Sequence, residues 1–228
     1  MQRLRVRYAK RGRARFTSHR DFGRAFERAL RRAGVPMAYS SGFSPHPRIS
    51  YANASPTGAA SEAEYLEIGL AAACDPERVR AALDAALPPG LDVVEVVVSP
   101  PGALADALTG SRWQVDLVGV ALADLQRAVA TFLAASAVPV ERMTKNGLRT
   151  FDTRAALVTL SLAEPLSPPV GTQVLAMTLA HTVPAVRPDD VLTALVTLAP
   201  ESSSRLPPVL TRLAQGVLDP ANGSICEP

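Results

Sequence analysis

The sequence predicts an α+β protein made of two ferredoxin-like (βαββαβ), pseudo-duplicated halves. Three observations predict it. The hydrophobic period alternates between strand and helix values in the order strand–helix–strand–strand–helix–strand, and the second half approximates the same order. Ser99-Pro-Pro-Gly breaks the pattern near the middle. The 228 residues are enough to bury two small cores. The expected organisation is a first half over residues 1–100, a linker over 101–110, a second half over 111–217 and a flexible tail over 218–228. No residue-level repeat relates the halves, so the duplication rests on element order.

Residues 3–8 alternate Leu4, Val6 and Tyr8 against Arg3, Arg5 and Arg7, which predicts a half-buried strand with its arginines in water. Lys10-Arg-Gly-Arg is a turn, and residues 14–17 read as a short second strand. Ser18 opens a helix with Asp21 three residues on, the spacing of a capping box. Phe22, Ala25, Phe26, Ala29, Leu30 and Ala33 form its buried stripe. Arg20, Arg24, Arg28 and Arg31 recur on the opposite face, with Arg32 beside them, and Gly34 and Pro36 end the helix. Strands follow over 49–54 and 64–70, then a helix opened by Asp75-Pro76 and running to residue 86, then a strand over 91–98. In the second half, a strand over 113–119 and a helix over 121–135 precede a hairpin. Its strands, 138–144 and 148–153, flank Lys145-Asn-Gly, a strong hairpin-turn signal. Strands over 155–162 and 172–182, a helix over 189–198 and a last strand or helix over 209–217 complete the chain.

Charge is unevenly spread. The net value is +3, from 24 Lys+Arg and 21 Asp+Glu, yet residues 1–50 hold 13 of the former and 2 of the latter. A basic first segment on a mildly acidic body is the electrostatic footprint of a phosphate-backbone binder. The alternative is a solvated basic face without a ligand. An arginine row repels itself, and Glu27 alone offers local relief, which favours a polyanion contact. The contact candidates are Lys10, Arg11, Arg13, Arg20, Arg24, Arg28, Arg31 and Arg32. The hairpin is basic through Arg142, Lys145, Arg149 and Arg154, and Arg149 and Arg154 extend the track. Glu62, Glu64 and Glu67 either hold arginines in place, the favoured reading, or supply a catalytic carboxylate.

Tyr39-Ser-Ser-Gly-Phe-Ser-Pro-His-Pro-Arg-Ile-Ser is a proline-locked loop. Pro45 and Pro47 fix their own φ and push Ser44 and His46 toward extended backbone. Phe43 either stacks on a base or plugs the core, while His46 and Arg48 are placed for phosphate contact.

The sequence holds no P-loop, no dinucleotide fingerprint and no Gly-x-Ser-x-Gly elbow. The 2 Cys, Cys74 and Cys226, form neither a disulfide framework nor a metal-ligand pair. No cofactor is expected. His19, Asp21 and His46 are candidates to converge as an acid–base or metal site. His181 reads as a satisfied strand-end residue. The N-terminus lacks a signal peptide's apolar core, and no apolar run is long enough to span a membrane, which predicts a cytoplasmic protein.

Residues 10–50 resemble the bacterial radical-SAM-linked proteins, a domain of unknown function found fused to, or encoded beside, a radical SAM protein. The matching segments are Lys10-Arg-Gly-Arg, Phe16-Thr-Ser-His-Arg-Asp, Arg24-Ala-Phe-Glu-Arg-Ala-Leu-Arg-Arg-Ala-Gly-Val-Pro, the Tyr39–Ser50 loop and Ser61-Glu-Ala-Glu-Tyr-Leu, with a later echo in Phe151-Asp-Thr-Arg. Arg20, where the family carries an apolar residue, and the polar Asn53-Ala-Ser-Pro-Thr-Gly depart from the pattern. The resemblance implies a separate radical SAM partner, and the family's gene neighbourhood, which includes ribonuclease E/G genes, points to RNA. The chain lacks a Cys-x-x-x-Cys-x-x-Cys cluster motif, so it is not itself the radical enzyme.

The expected function is therefore an accessory protein that binds structured RNA, tRNA or rRNA, for a separate radical SAM enzyme. The rival readings are an enzyme using His19, Asp21 and His46 on an anionic substrate, and a docking module for the radical SAM partner without nucleic acid.

Overall fold

Residues 1–144, 147–163 and 171–228 are described by the structure, a computed structural model. The protein is mixed α/β, with mostly antiparallel sheet and five α-helices among the described residues. It divides into two units, Met1–Leu108 and Thr109–Pro228.

The first unit runs β1 (Gln2–Lys10), α1 (His19–Arg32), β2 (Ile49–Ala52), β3 (Ala60–Leu70), α2 (Pro76–Ala86) and β4 (Leu91–Val98). Its strands lie in the order β4-β1-β3-β2, each neighbouring pair antiparallel. Alternation decides the faces: Leu4, Val6 and Tyr8 of β1 and Leu66 and Ile68 of β3 join Phe22, Phe26 and Leu30 of α1 and Val79 and Leu83 of α2 in one core. The other face is covered as well. Residues 104–107 form a short 3-10 helix inside the expected linker, and Leu104 and Leu108 pack on Ala63 and Tyr65 of β3.

The pairing of β1 with β3 sets Glu67 opposite Arg5 and corrects the reading of β1. Its arginines do not face water as a set, since Arg5 is only 4% exposed. Residues 14–17 are not a strand either. Gly12–Phe16 is a 3-10 helix, closed by Ala14 N–H to Arg11 C=O at 3.0 Å and Thr17 N–H to Ala14 C=O at 2.9 Å. It is pinned to the turn before β4, where Arg11 N–H donates to Gly90 C=O at 2.8 Å. Gly90 has φ +84°, and a Cβ there would stand 2.7 Å from the Arg11 carbonyl oxygen, so the approach demands glycine.

The second unit runs β5 (Gly110–Val118), α3 (Leu122–Ala134), β6 (Pro139–Thr144), β7 (Gly147–Asp152), α4 (Thr153–Ala156), β8 (Leu157–Ala163), β9 (Thr172–Ala180), α5 (Pro188–Leu198), β10 (Val209–Leu218) and β11 (Ile225–Cys226). The order is β10-β5-β9-β8, antiparallel throughout, with β11 added on β10 and β6–β7 as a separate hairpin. Lys145 and Asn146, two of the three residues in the expected turn signal, lie outside the described residues. The strand expected from residue 155 is preceded by α4, because the Asp152 carboxylate accepts from Arg154 N–H at 3.0 Å and caps a helical turn first. Residues 209–217 fall within a strand. The tail expected to be flexible turns back, with Asp219 N–H donating to Ser224 C=O at 3.0 Å, and pairs as β11. Among the described residues no helix is long and apolar enough to cross a membrane.

Candidate functional site

The helix α1 is built as the sequence requires. Ser18 is the N-cap: its hydroxyl accepts from Asp21 N–H at 3.2 Å and donates to the Asp21 carboxylate at 2.7 Å. Phe22, Phe26, Ala29 and Leu30 are buried. Tyr8 of β1 stacks on Phe22 with ring centroids 4.2 Å apart and planes within 7°, and Phe22 continues to Phe26 at 5.6 Å. This aromatic column anchors the helix by its hidden side. Arg20, Arg24, Arg28 and Arg31 are left on the exposed side. Arg24 approaches Asp21 at 4.0 Å, a weak surface pairing. Among the described residues Arg20, Arg28 and Arg31 make no hydrogen bond or ion pair. Arg32 is different: its guanidinium donates to Ala86 C=O at 3.1 Å and ties α1 to the end of α2.

The basic residues before α1 are mostly used by the fold. Arg5 donates twice to the buried Glu67 carboxylate, at 3.0 and 3.2 Å, and Arg3 lies 3.7 Å from the same group. Arg7 donates to Glu62 C=O at 3.0 Å. Lys10 is buried, with its ammonium 3.2 Å from the Ser55 hydroxyl. Arg11 bridges Glu62 and Asp92, and the Glu62 hydrogen bonds, before the Asp92 contact, hold its guanidinium above the ordinary arginine pKa. Glu64 accepts from Ser55 N–H at 2.9 Å. The three glutamates thus hold cations and backbone. Arg13 remains exposed, and next to it Phe16 is exposed with the Arg15 guanidinium 4.7 Å from its ring centroid.

After α1, residues 37–48 form a finger. Its base is joined by isolated antiparallel bridges, Met37 to Leu70 and Tyr39 to Pro47. Ser40 N–H donates to His46 C=O at 2.9 Å, and the Ser40 hydroxyl accepts from His46 N–H at 3.1 Å. The Arg48 guanidinium donates to Tyr39 C=O at 3.2 Å, so it braces the finger. Residues 41–46 are exposed, and Phe43 is fully so. The core-plug alternative for Phe43 is excluded.

His19, Asp21 and His46 make their contacts apart from one another. Asp21 serves the cap, and the His46 backbone serves the finger. The His19 ring meets Tyr51 edge-on at 4.8 Å. Tyr51 sits over α1, its hydroxyl filling the space that Gly23 leaves, 3.5 Å from where a Cβ would lie. Burial first, then the negative charge of Glu27, push the Tyr51 phenol up to about 12. Sequence reading missed Tyr51, Phe16 and Tyr39. Among the described residues no three His, Cys, Asp or Glu side chains stand close enough to hold a metal ion.

Residues 3–188 match a family described as "Uncharacterized protein conserved in bacteria (DUF2344)". The chain belongs to this family. The matched stretch takes in α1, the finger and the β6–β7 hairpin, and it ends as α5 begins. No curated protein matches the chain.

Within the family match, the hairpin is less basic than its sequence. The Arg142 guanidinium lies 4.2 Å from the centroid of buried Phe151, pairs with Asp190 and donates to Ala185 C=O at 3.0 Å. Arg154 is half-buried and donates to Leu157 C=O at 3.4 Å. Arg149 is exposed.

Proposed function

We propose that α1 and its flanks bind structured RNA through its phosphates, and that this cytoplasmic protein serves as an accessory to a separate radical SAM enzyme. One observation carries the reading. In the first unit the arginines of β1, Arg11, Arg32 and Arg48 all have partners within the fold, whereas Arg20, Arg28 and Arg31 have none among the described residues and share one exposed helix face with Arg24. Guanidinium groups left unpaired in a row match a run of phosphates, which they bind bidentately. Exposed Phe16, Tyr39 and Phe43 lie in the segments on either side of the helix, the mix of cations and ring faces that RNA-binding surfaces use. The radical SAM partner follows from the family resemblance and from the missing cluster cysteines. We further infer that both units are ferredoxin-like and duplicated. The strand orders β4-β1-β3-β2 and β10-β5-β9-β8 support this, since each is the same permutation once the β6–β7 hairpin is set aside.

Fluorescence anisotropy with labelled bacterial tRNA tests the RNA reading. Four phosphate contacts give a log–log salt slope of about −3.6, so affinity falls about 150-fold between 50 and 200 mM salt. The Arg24→Glu, Arg28→Glu, Arg31→Glu triple variant removes the binding while melting like the parent. A salt-insensitive affinity, or full binding by the triple variant, overturns it.

A further inference from the structure

We propose that the 37–48 finger is a base-stacking wedge, which selects RNA carrying an unstacked nucleotide over continuous duplex. The inference rests on the RNA reading above and names the class of RNA.

The finger is rigid where it leaves the body and bare at its tip. Two bridges and the Ser40–His46 hydrogen bonds close it, and Arg48 spends its guanidinium on the Tyr39 carbonyl, so the arginine positions the loop. Gly42, at φ +126°, makes the turn that lifts Phe43 outward. Phenylalanine is ordinarily among the most buried residues. This one has 110% of its reference exposure, so the fold gains nothing from its ring.

The surroundings of the ring decide its partner. Ser41, Gly42, Ser44 and Pro45 flank it, and all are exposed. A lone ring among small residues does not make the apolar core of a protein interface, which buries about 800 Å² on each partner. Stacking on a base needs one ring face only. Continuous duplex hides its base faces, whereas a bulge or loop offers one.

The finger also stands where the arginine row leads. A small groove at its base is lined by Glu27, Leu30 and Arg31 of α1 on one side and Met37, Tyr39 and Pro47 on the other. Phe43 lies four residues beyond Tyr39, a reach of up to about 13 Å at strand rise. Arg31 and the base of the finger share that groove, so one short RNA segment can meet both the arginine row and the ring. Exposed His46 belongs to the same tip and adds a hydrogen-bonding side chain beside the ring.

The test uses an RNA duplex and the same duplex with one bulged 2-aminopurine, titrated with the full chain and read by anisotropy and by 2-aminopurine fluorescence. The parent binds the bulged RNA about 5- to 150-fold more tightly and quenches the probe. Phe43→Ala melts like the parent, binds both RNAs at the duplex affinity and leaves the probe bright, while Phe43→Trp keeps the preference. A bulge preference retained by Phe43→Ala overturns the wedge. So does a parent that binds both RNAs equally and with steep salt dependence, an outcome that leaves the RNA reading intact. A parent that binds neither RNA at 50 mM salt removes both.

Discussion

Two sets of arginines in the first unit have opposite fates. Those on β1 and the turn after it meet Glu62, Glu67 and Asp92 and become part of the fold. Those along α1 stay on an exposed face, because the helix is already held by Tyr8, Phe22 and Phe26 on its other side. The difference teaches that a cation's role is set by what secures its backbone. Where packing does that work, the charge is left over for a partner.

The contrast is breakable in order of expected effect. Arg5→Ala leaves the buried Glu67 carboxylate with only the more distant Arg3 and the Ser99 hydroxyl, and costs about 3 kcal/mol, seen as a melting temperature lower by about 6–12 °C. A loss near zero would place Arg5 with the α1 set. Arg11→Gln opens a half-exposed bridge and costs about 1 kcal/mol in urea unfolding. Gly23→Ala adds a good helix former against the Tyr51 hydroxyl, an ordinary contact at 3.5 Å, and stabilises by about 0.5–1 kcal/mol. A destabilised variant would mean that Tyr51 needs the gap. Arg20→Ala shifts stability by less than about 0.5 kcal/mol, a direct check that this side chain holds nothing.

The smallest signal is spectroscopic. The Tyr51 proton is bound more tightly in the folded chain, at about 12 against an ordinary 10.0. Its contribution to stability is therefore complete below pH 10 and is lost as pH rises through 12. Stepwise alkaline absorbance titration shows a late phenolate that Tyr51→Phe removes and Glu27→Gln brings earlier. A Glu27→Gln trace identical to the parent would break the link between that carboxylate and the phenol.

Much of this was legible in the chain. The cap at Ser18, the apolar stripe and the arginine row follow from spacing alone, and α1 obeys each. The β1 face was not legible, because Arg3, Arg5 and Arg7 alternate identically whether they meet water or a carboxylate some sixty residues later. Only the pairing of β1 with β3, which sets Glu67 opposite Arg5, decides it. The hairpin misled for the same reason: Arg142 is answered by Asp190, far along the chain. Phe43 was ambiguous in sequence, since a loop phenylalanine has the same composition whether it points in or out. Tyr51 went unseen because its partners sit at His19, Gly23 and Glu27, and a helical stripe of one histidine, one glycine and one glutamate has no recognisable period of its own.

The arginine row has one more consequence, of a polyelectrolyte kind. The neighbours Arg20/Arg24, Arg24/Arg28, Arg28/Arg31 and Arg28/Arg32 are like charges at helical spacing, each unfavourable by about 0.2–0.5 kcal/mol. Set against the opposite-charge neighbours Asp21/Arg24, Arg24/Glu27 and Glu27/Arg31 at the same spacing, the row keeps about 0.2–0.5 kcal/mol of net repulsion, which condensed counterions relieve. Multivalent anions that bind the folded row raise the melting temperature by mass action, so the thermal stability of this protein responds to the ionic medium in which it is kept.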